Sequence, residues 1–281
     1  MMIYKVINNN QVICLDDQKK ECIVIGRGIG FKAKTGQNVP EDKIEKIFKL
    51  GNPAVSSKFQ QLVEKIPMEH IEVTDEIISY VKCSLGKKLS DNIYVALTDH
   101  INFAIERQQQ GIEFHNALLW EVKRFYHHEF ELGEHAIRHI ETKMGIRLPE
   151  DEAGFIALHI VNAEIDAQMD QTVAMTQIIH GVLNIVKYYF KMEFFEGSLD
   201  YDRFLTHLRF FAQRIVGGKL YTTDDPAFCD MIRQQYPEEY RCVEKIREYV
   251  QREYEHQMTE EEMMYLTVHI RRLVKQKKND Q

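Results

Sequence analysis

The sequence predicts a multidomain fold, in which a small antiparallel β-sheet domain is followed by two homologous all-α helical-bundle domains. Three observations lead to this prediction. The chain of 281 residues exceeds the usual size of one domain. Runs of β-branched residues are confined to the first forty positions, and similar helical segments recur later at a period near 108 residues.

The composition is that of a folded protein of a reducing compartment. Hydrophobic residues make up 44% and charged residues 28% of the chain, which is typical of globular domains. The longest apolar runs fall short of the about 20 residues that a bilayer span needs, and no apolar h-region follows Met1, so we expect no signal peptide. Five widely separated cysteines without a Cys-x-x-Cys motif predict a cytoplasmic protein without disulfides or a zinc ribbon.

The net charge of −7 is unevenly distributed along the chain. Residues 1–50 contain nine lysines and arginines against six acidic residues, a net charge of +3, and the remaining residues carry −10. A basic first segment joined to an acidic remainder indicates that only the first segment meets a polyanion.

Three β-branched runs predict strands in the first domain. They are Ile3–Ile7, Gln11–Leu15 and Cys22–Ile25, with turn-forming residues at 8–10, 16–19 and 35–38. We expect a sheet of about four strands. Because so short a segment is at the lower limit of independent stability, homodimerisation through one face of the sheet is expected.

Helical patterns begin after the sheet. The spacing of Ile44, Ile47 and Phe48 predicts a helix starting at Glu41, which Gly51-Asn52-Pro53 would end. Later apolar residues keep helical spacing to the end of the chain, and the prolines mark boundaries between helices. We place the first domain at 1–55, a linker at 56–65, and two all-α domains at 66–171 and 172–281.

The repeat places histidines at equivalent positions in the two helical domains. Residues 99–107 align with 206–214, and residues 148–160 align with 258–270. A histidine recurs at both registers of both copies: His100, His159, His207 and His269. A packed core histidine remains one explanation, since such residues are copied with their domain. Phosphoryl acceptance is the other, because neutral imidazole is a good nucleophile near pH 7.

Other histidine chemistries find less support in the sequence. His135 and His139 lie four residues apart, but no HExxH motif accompanies them, so a polar surface helix is favoured over a metal site. No GxSxG or reactive-cysteine signature points to hydrolysis. Arg107 and Arg214 each follow a repeated histidine by seven residues, which suits either a solvated face or attraction of a phosphorylated partner.

The first domain combines residue types that suit RNA binding. Lysine and arginine meet phosphates, asparagine reads base edges, glycine permits close approach and phenylalanine stacks on bases. The candidate residues are Lys5, Asn8, Asn10, Gly26, Arg27, Gly28 and Phe31. A plain hairpin corner is the alternative for the glycines. The absence of a helix-turn-helix pattern disfavours reading of the DNA major groove.

These motifs together resemble the BglG/LicT family of transcriptional antiterminators over the entire chain. Residues 5–10 and 26–31 are similar to the signature segments of the co-antiterminator (CAT) RNA-binding domain. Residues 98–104 and 153–162 resemble the histidine motifs of a first phosphotransferase-system regulation domain (PRD), and residues 206–214 and 265–270 resemble those of a second. The similarity is greatest to the LicT branch, which serves β-glucosides or β-glucans.

The resemblance implies a mechanism. A CAT dimer would bind an RNA hairpin in the leader of a sugar-utilisation mRNA and prevent the overlapping terminator from forming. His100 and His159 would be phosphorylated through a sugar-specific enzyme II, giving an inactive protein. His207 and His269 would be phosphorylated by HPr, giving an active dimer. The protein would be a phosphoacceptor rather than an enzyme, without a cofactor or metal and without insertion into the membrane.

Two alternatives stay open at this point. A PRD-containing DNA-binding activator would need a helix-turn-helix in the first domain. A helical metal-dependent phosphohydrolase would need a His-Asp pair, whereas Asp99-His100 has the reverse order.

Overall fold

The computed structural model describes residues 1–16, 20–112, 114–196, 198–218 and 226–279. The chain divides into two compact units, Met1–Ala167 and Gln168–Gln281, which are considered separately. Part of the predicted turn at 16–19 lies outside the described residues.

A four-stranded antiparallel sheet opens the first unit, as predicted. Its order is β1-β2-β3-β4, and the strands are β1 (Met2–Asn8), β2 (Gln11–Leu15), β3 (Glu21–Ile25) and β4 (Lys46–Phe48). The β1–β2 turn is closed locally, because the Asn10 backbone N–H donates to Asn8 Oδ1 at 2.8 Å. The three β-branched runs therefore form strands as expected.

The predicted helix from Glu41 is wrong. Glu41–Lys43 forms a single 3₁₀ turn, and Lys46–Phe48 is the fourth strand. Ile47 pairs with Val24 of β3, and Phe48 is buried. Pairing with the open edge of β3 and burial of Phe48 stabilise the strand more than a short helix would be stabilised, because a helix of so few residues has little stability by itself.

Both faces of the sheet are covered within one chain. Val12, Cys14 and Val24 pack on one face. On the other face, Ile23 and Ile25 pack with Phe59 of helix α1 (Pro53–Val63). The segment predicted as a linker at 56–65 is thus largely helical and contributes buried residues to the sheet.

The rest of the first unit is a helical bundle. Its helices are α2 (Met68–Leu85), α3 (Asn92–Gln109), α4 (Leu119–Phe125), α5 (His127–Met144) and α6 (Glu150–Ile165). Helices α2 and α6 each follow a proline, whose fixed φ suits the position before a helix. Their apolar faces share one core, which includes Ile77, Leu97 and Ile156.

The second unit repeats a helical bundle. Its helices are α7 (Met169–Phe190), α8 (Leu199–Val216), α9 (Pro226–Gln235), α10 (Pro237–Tyr254) and α11 (Glu260–Asn279). Helix α8 is capped by Ser198, whose side chain accepts from the Tyr201 backbone N–H at 3.2 Å. Within the part of the chain that the structure describes, no helix is long and apolar enough to cross a membrane.

Candidate functional site

The two repeated histidines of the first unit meet between α3 and α6. The rings of His100 and His159 have centroids 4.8 Å apart. Burial, followed by the neighbouring His100, lowers the pKa of His159 to about 3. The ring of His159 is therefore neutral at physiological pH, and it packs against the ring of His100 at an interplanar angle of 42°.

A buried carboxylate joins this histidine pair to an arginine. Glu152 Oε2 lies 3.1 Å from His100 Nε2, without the alignment of a hydrogen bond. The other oxygen of Glu152 pairs with Arg107. Glu152 is 3% exposed and Arg107 is 9% exposed, so the alternative of a solvated face is wrong for Arg107. Its guanidinium lies under two phenylalanine rings, at 4.7 Å from Phe103 and 4.9 Å from Phe114.

The second unit contains an equivalent histidine pair, between α8 and α11. The ring centroids of His207 and His269 are 3.9 Å apart. Burial and then the charge of His207 lower the pKa of His269 to about 4. The pKa of His207 is also lowered, first by burial and then by Arg272 and Arg214. Both rings therefore favour the neutral form.

The surroundings of the second pair differ from those of the first. The hydroxyl of Tyr265 lies 2.9 Å from His207 Nδ1. Glu262 accepts from Arg214 Nε at 3.3 Å and lies 3.4 Å from His256 Nε2. A cavity of about 390 Å³ opens here, lined by His207, Phe210, Arg214, Glu261, Glu262 and Tyr265. The side chain of Arg214 is 25% exposed, so this ion pair is wetter than its counterpart in the first unit.

Sequence reasoning found the four histidines and singled out Arg107 and Arg214, but it missed the carboxylates and the aromatic residues that surround them. Glu152 and Glu262 occupy equivalent positions of the aligned segments, as do Phe155 and Tyr265. One clue to the carboxylates was available in the sequence. In both copies a glutamate follows the residue that precedes the helix, a proline or a threonine, by three positions. It was not informative alone, because acidic residues are common in the first turn of any helix.

The arrangement at each pair suits phosphoryl acceptance. A neutral imidazole offers a lone pair, and a nearby arginine can bind the phosphoryl oxygens. Among the described residues, no group of three or more His, Cys, Asp or Glu side chains is placed to hold a metal ion.

Apart from Lys5, the candidate RNA-binding residues come together at one end of the sheet. Three hydrogen bonds hold the turn at 8–10 and the loop at 26–31 together, each at 2.9 Å. The Gly26 backbone N–H donates to Asn10 O, the Gly28 backbone N–H to Asn10 Oδ1, and the Gly30 backbone N–H to Asn9 O. Arg27 and Phe31 are exposed on this surface, Phe31 by 59%. Asn8 is exposed beside them.

Two of these glycines have a structural reason for their identity. A Cβ on Gly26 would lie 1.7 Å from the backbone oxygen of Lys43, and Gly28 has a φ of +67°. Lys5, which lies on β1, is exposed and pairs with Glu64 at 3.6 Å. The candidate residues thus include both an exposed set that can contact a ligand and a buried set that shapes the loop.

An acidic helix face borders this surface within the first unit. A cleft of about 460 Å³ is lined by residues of the sheet and of α2, among them Arg27, Glu45, Lys46, Glu72 and Asp75. Lys46 of β4 pairs with Asp75 of α2. The pKa of Glu72 is raised, first by burial and then by the charge of Glu45. Negative charge on α2 therefore lies next to the basic end of the sheet.

Two models of known protein families match parts of this chain. The family model described as the CAT RNA binding domain matches residues 1–57, and the one described as the PRD domain matches residues 75–163 and 180–273.

Two curated relatives match along nearly the full length. The chain is 52% identical over 276 residues to the transcription antiterminator LicT of Bacillus subtilis, covering 98% of this chain and 100% of that protein. It is 43% identical over 273 residues to the beta-glucoside operon antiterminator of Dickeya chrysanthemi, covering 97% and 96%. Among solved structures, the crystal structure of GlcT CAT-PRDI is 35% identical with a TM-score of 0.51, and the match covers 58% of this chain and 97% of that one.

Proposed function

The chain belongs to the BglG/LicT family, in its LicT branch, and from that premise we propose that it is a transcriptional antiterminator controlled by histidine phosphorylation. Its CAT domain binds an RNA hairpin in the leader of a sugar-utilisation mRNA, and its two PRDs respond to the phosphotransferase system. The observation that carries the proposal is the pairing of two histidine rings at the equivalent position of each repeat.

The exposed end of the sheet supports RNA binding. Arg27 and Lys5 supply cations for phosphates, Asn8 and Asn10 supply amides for base edges, and the 59% exposed ring of Phe31 supplies a stacking surface. The surface is small for a hairpin. A homodimer, in which two copies present it together, would double the contact area, and we include that dimer in the proposal.

The two histidine pairs have different surroundings, and these support opposite effects of phosphorylation at the first and the second pair. A phosphoryl group on His100 adds about two negative charges beside buried Glu152. Like charges about 4 Å apart repel by about 4 kcal/mol per pair at an effective dielectric of 20. Arg107 would then be drawn between two anions, so the α3–α6 contact must rearrange. We therefore assign an inhibitory role to His100 and His159, with enzyme II of the sugar transporter as donor.

The second pair has more positive surroundings. Arg214 and Arg272 both act on His207, and they can bind a phosphoryl group instead of repelling it. A stabilising, activating role for His207 and His269 follows, with HPr as the donor. The high identity to a beta-glucoside operon antiterminator favours a β-glucoside as the inducing sugar. Catalysis belongs to the donor proteins, and this chain acts as a regulator.

RNA binding is tested with the full-length protein and the leader hairpin in gel-shift titrations. Arg27→Ala should weaken binding by at least about fivefold, because a bidentate arginine contact to a base contributes about 1–3 kcal/mol. Lys58→Ala removes one charge from an exposed position on α1 and serves as the matched control. Equal affinity of the two variants would remove Arg27 from the RNA site.

Phosphorylation is tested by incubating the full chain with phospho-HPr and mapping phosphohistidine by mass spectrometry. We expect acid-labile, base-stable phosphate on His207 or His269. Label on serine or threonine alone would contradict the proposal. A variant with all four repeated histidines changed to alanine should no longer respond to carbon source in a reporter strain.

A further inference from the structure

Tyr265 makes the contact that distinguishes the second histidine pair from the first. Its hydroxyl lies 2.9 Å from His207 Nδ1, and its ring meets the His207 ring edge-on, with centroids 5.0 Å apart at 86°. Tyr265 also packs against His269, with centroids 4.7 Å apart. We propose that Tyr265 is a positioning residue that makes Nε2 the phosphate-accepting nitrogen of His207. This inference rests on the proposed function.

The chemistry of imidazole links the roles of its two ring nitrogens. A neutral ring has one N–H and one lone pair, and the hydrogen bond made by one nitrogen fixes the role of the other. When Nδ1–H donates to the tyrosine oxygen, the lone pair resides on Nε2. The tyrosine hydroxyl also occupies the space in which a phosphorus atom would have to approach Nδ1. Both effects direct attack to Nε2.

The groups facing His207 keep the ring ready for this role. Arg214 and Arg272 are the cations that act on it, Glu261 and Glu262 line the same cavity, and His269 packs on its face. The cations disfavour a protonated ring, and they are placed to bind the oxygens of an incoming phosphoryl group. The cavity of about 390 Å³ gives the donor access.

Phosphoryl transfer to His207 replaces one P–N bond with another. The lone pair of His207 Nε2 forms a bond to phosphorus, and the P–N bond of the donor phosphohistidine breaks. The donor imidazole leaves with that electron pair and keeps its own ring proton. His207 keeps its Nδ1 proton, so its ring becomes cationic while carrying the phosphoryl dianion. The oxygen of Tyr265 accepts the hydrogen bond from the cationic Nδ1–H, which stabilises the product.

The first repeat lacks this device. Phe155 stands where Tyr265 stands in the second copy, and a phenylalanine has no hydroxyl to hold Nδ1. The close neighbour of His100 is instead Glu152, which lies 3.1 Å from Nε2. The two copies can therefore be compared directly. The close polar neighbour lies at Nδ1 of His207 in the second copy and at Nε2 of the equivalent His100 in the first.

The test uses the full-length protein phosphorylated by phospho-HPr. Tyr265→Phe removes the hydroxyl and keeps the ring, and Tyr265 is 40% exposed, so folding is preserved. Tyr188→Phe makes the same change at a 74% exposed position of the same unit and is the matched control. Mass spectrometry identifies the modified residue, and antibodies specific for Nδ1- or Nε2-phosphohistidine identify the isomer on the isolated peptide.

We expect only the Nε2 isomer on His207 in the parent protein and in Tyr188→Phe. In Tyr265→Phe, at least a tenth of the phosphate should be on Nδ1, and the initial rate of phosphorylation should fall. Nδ1-phosphohistidine on His207 of the parent protein would overturn the inference. So would Nε2-phosphohistidine alone in Tyr265→Phe, whatever the rate of phosphorylation. Absence of phosphate from both His207 and His269 would instead contradict the proposed function itself.

Discussion

Glu152→Gln tests whether the buried ion pair beside His100 holds the first unit together. Glu152 is 3% exposed and its partner Arg107 is 9% exposed. Removing one charge of a buried pair leaves the other charge uncompensated, which costs about 3–5 kcal/mol. Glutamine keeps the size of the side chain and one acceptor oxygen, so we expect the lower end, about 3 kcal/mol. With a urea dependence of about 1–3 kcal/mol per molar, the unfolding midpoint should shift by about 1–3 M.

The chain offers a specific probe and a matched control for this measurement. Its single tryptophan, Trp120, lies on α4 of the first unit, so its fluorescence follows that unit in a urea titration. Glu262→Gln makes the same change in the second unit, where Arg214 is 25% exposed and the loss should therefore be smaller than at Glu152. That variant should leave the fluorescence transition in place. An unchanged midpoint for Glu152→Gln would refute the reasoning, as would an equal shift caused by Glu262→Gln.

Three further predictions concern pH and RNA binding. Burial lowers the pKa of His159 to about 3 and that of His269 to about 4, whereas an unfolded histidine titrates near 6.5. The unfolded chain therefore binds more protons below pH 6.5, and as the pH falls each ring should lower the free energy of unfolding by up to about 1.4 kcal/mol per pH unit, down to its folded pKa. Changing both histidines to glutamine should flatten this pH dependence in urea titrations, and an unaltered slope would contradict the prediction. Gly26→Ala puts a Cβ 1.7 Å from a backbone oxygen and should reduce RNA affinity in gel shifts at least about tenfold, so full affinity would disprove a rigid loop. Glu72→Gln removes negative charge near Arg27, which we propose contacts RNA, and should raise RNA affinity several-fold at low salt and less at high salt. Glu141→Gln, exposed on α5, should not change the affinity.

The sequence carried enough information to predict the fold class and the histidine pairs, for different reasons. Strand runs and turns are local patterns, so β2 was predicted to the residue. The histidines were identified from the internal repeat. A residue that recurs at the same position of two diverged copies can be recognised from the sequence alone. Strand β4 was missed because only its partner strand, some twenty positions away, makes Lys46–Phe48 extended.

The residues that tune the histidine sites could not be predicted from the sequence. Arg107 and Glu152 are 45 positions apart, and no local pattern states that their side chains meet. The same holds for Tyr265 and His207, which are 58 positions apart. Arg107 was placed correctly on the same helix face as His100, but its burial depends on α6 and on Phe114, which belong to other segments of the chain.

The packing of the first unit suggests how a charge at His100 could affect the end of the sheet that we propose binds RNA. Asn102, two residues after His100 on α3, bonds to His70 Nδ1 of α2 at 2.7 Å. Helix α2 in turn pairs with the sheet through Asp75 and Lys46. A helix moves as a rigid rod, so displacement of α3 by a phosphoryl group on His100 shifts α2 and the negative charges that it holds beside the sheet. His100, for which we propose an inhibitory role, is thus linked through α3 and α2 to the surface that we propose binds RNA.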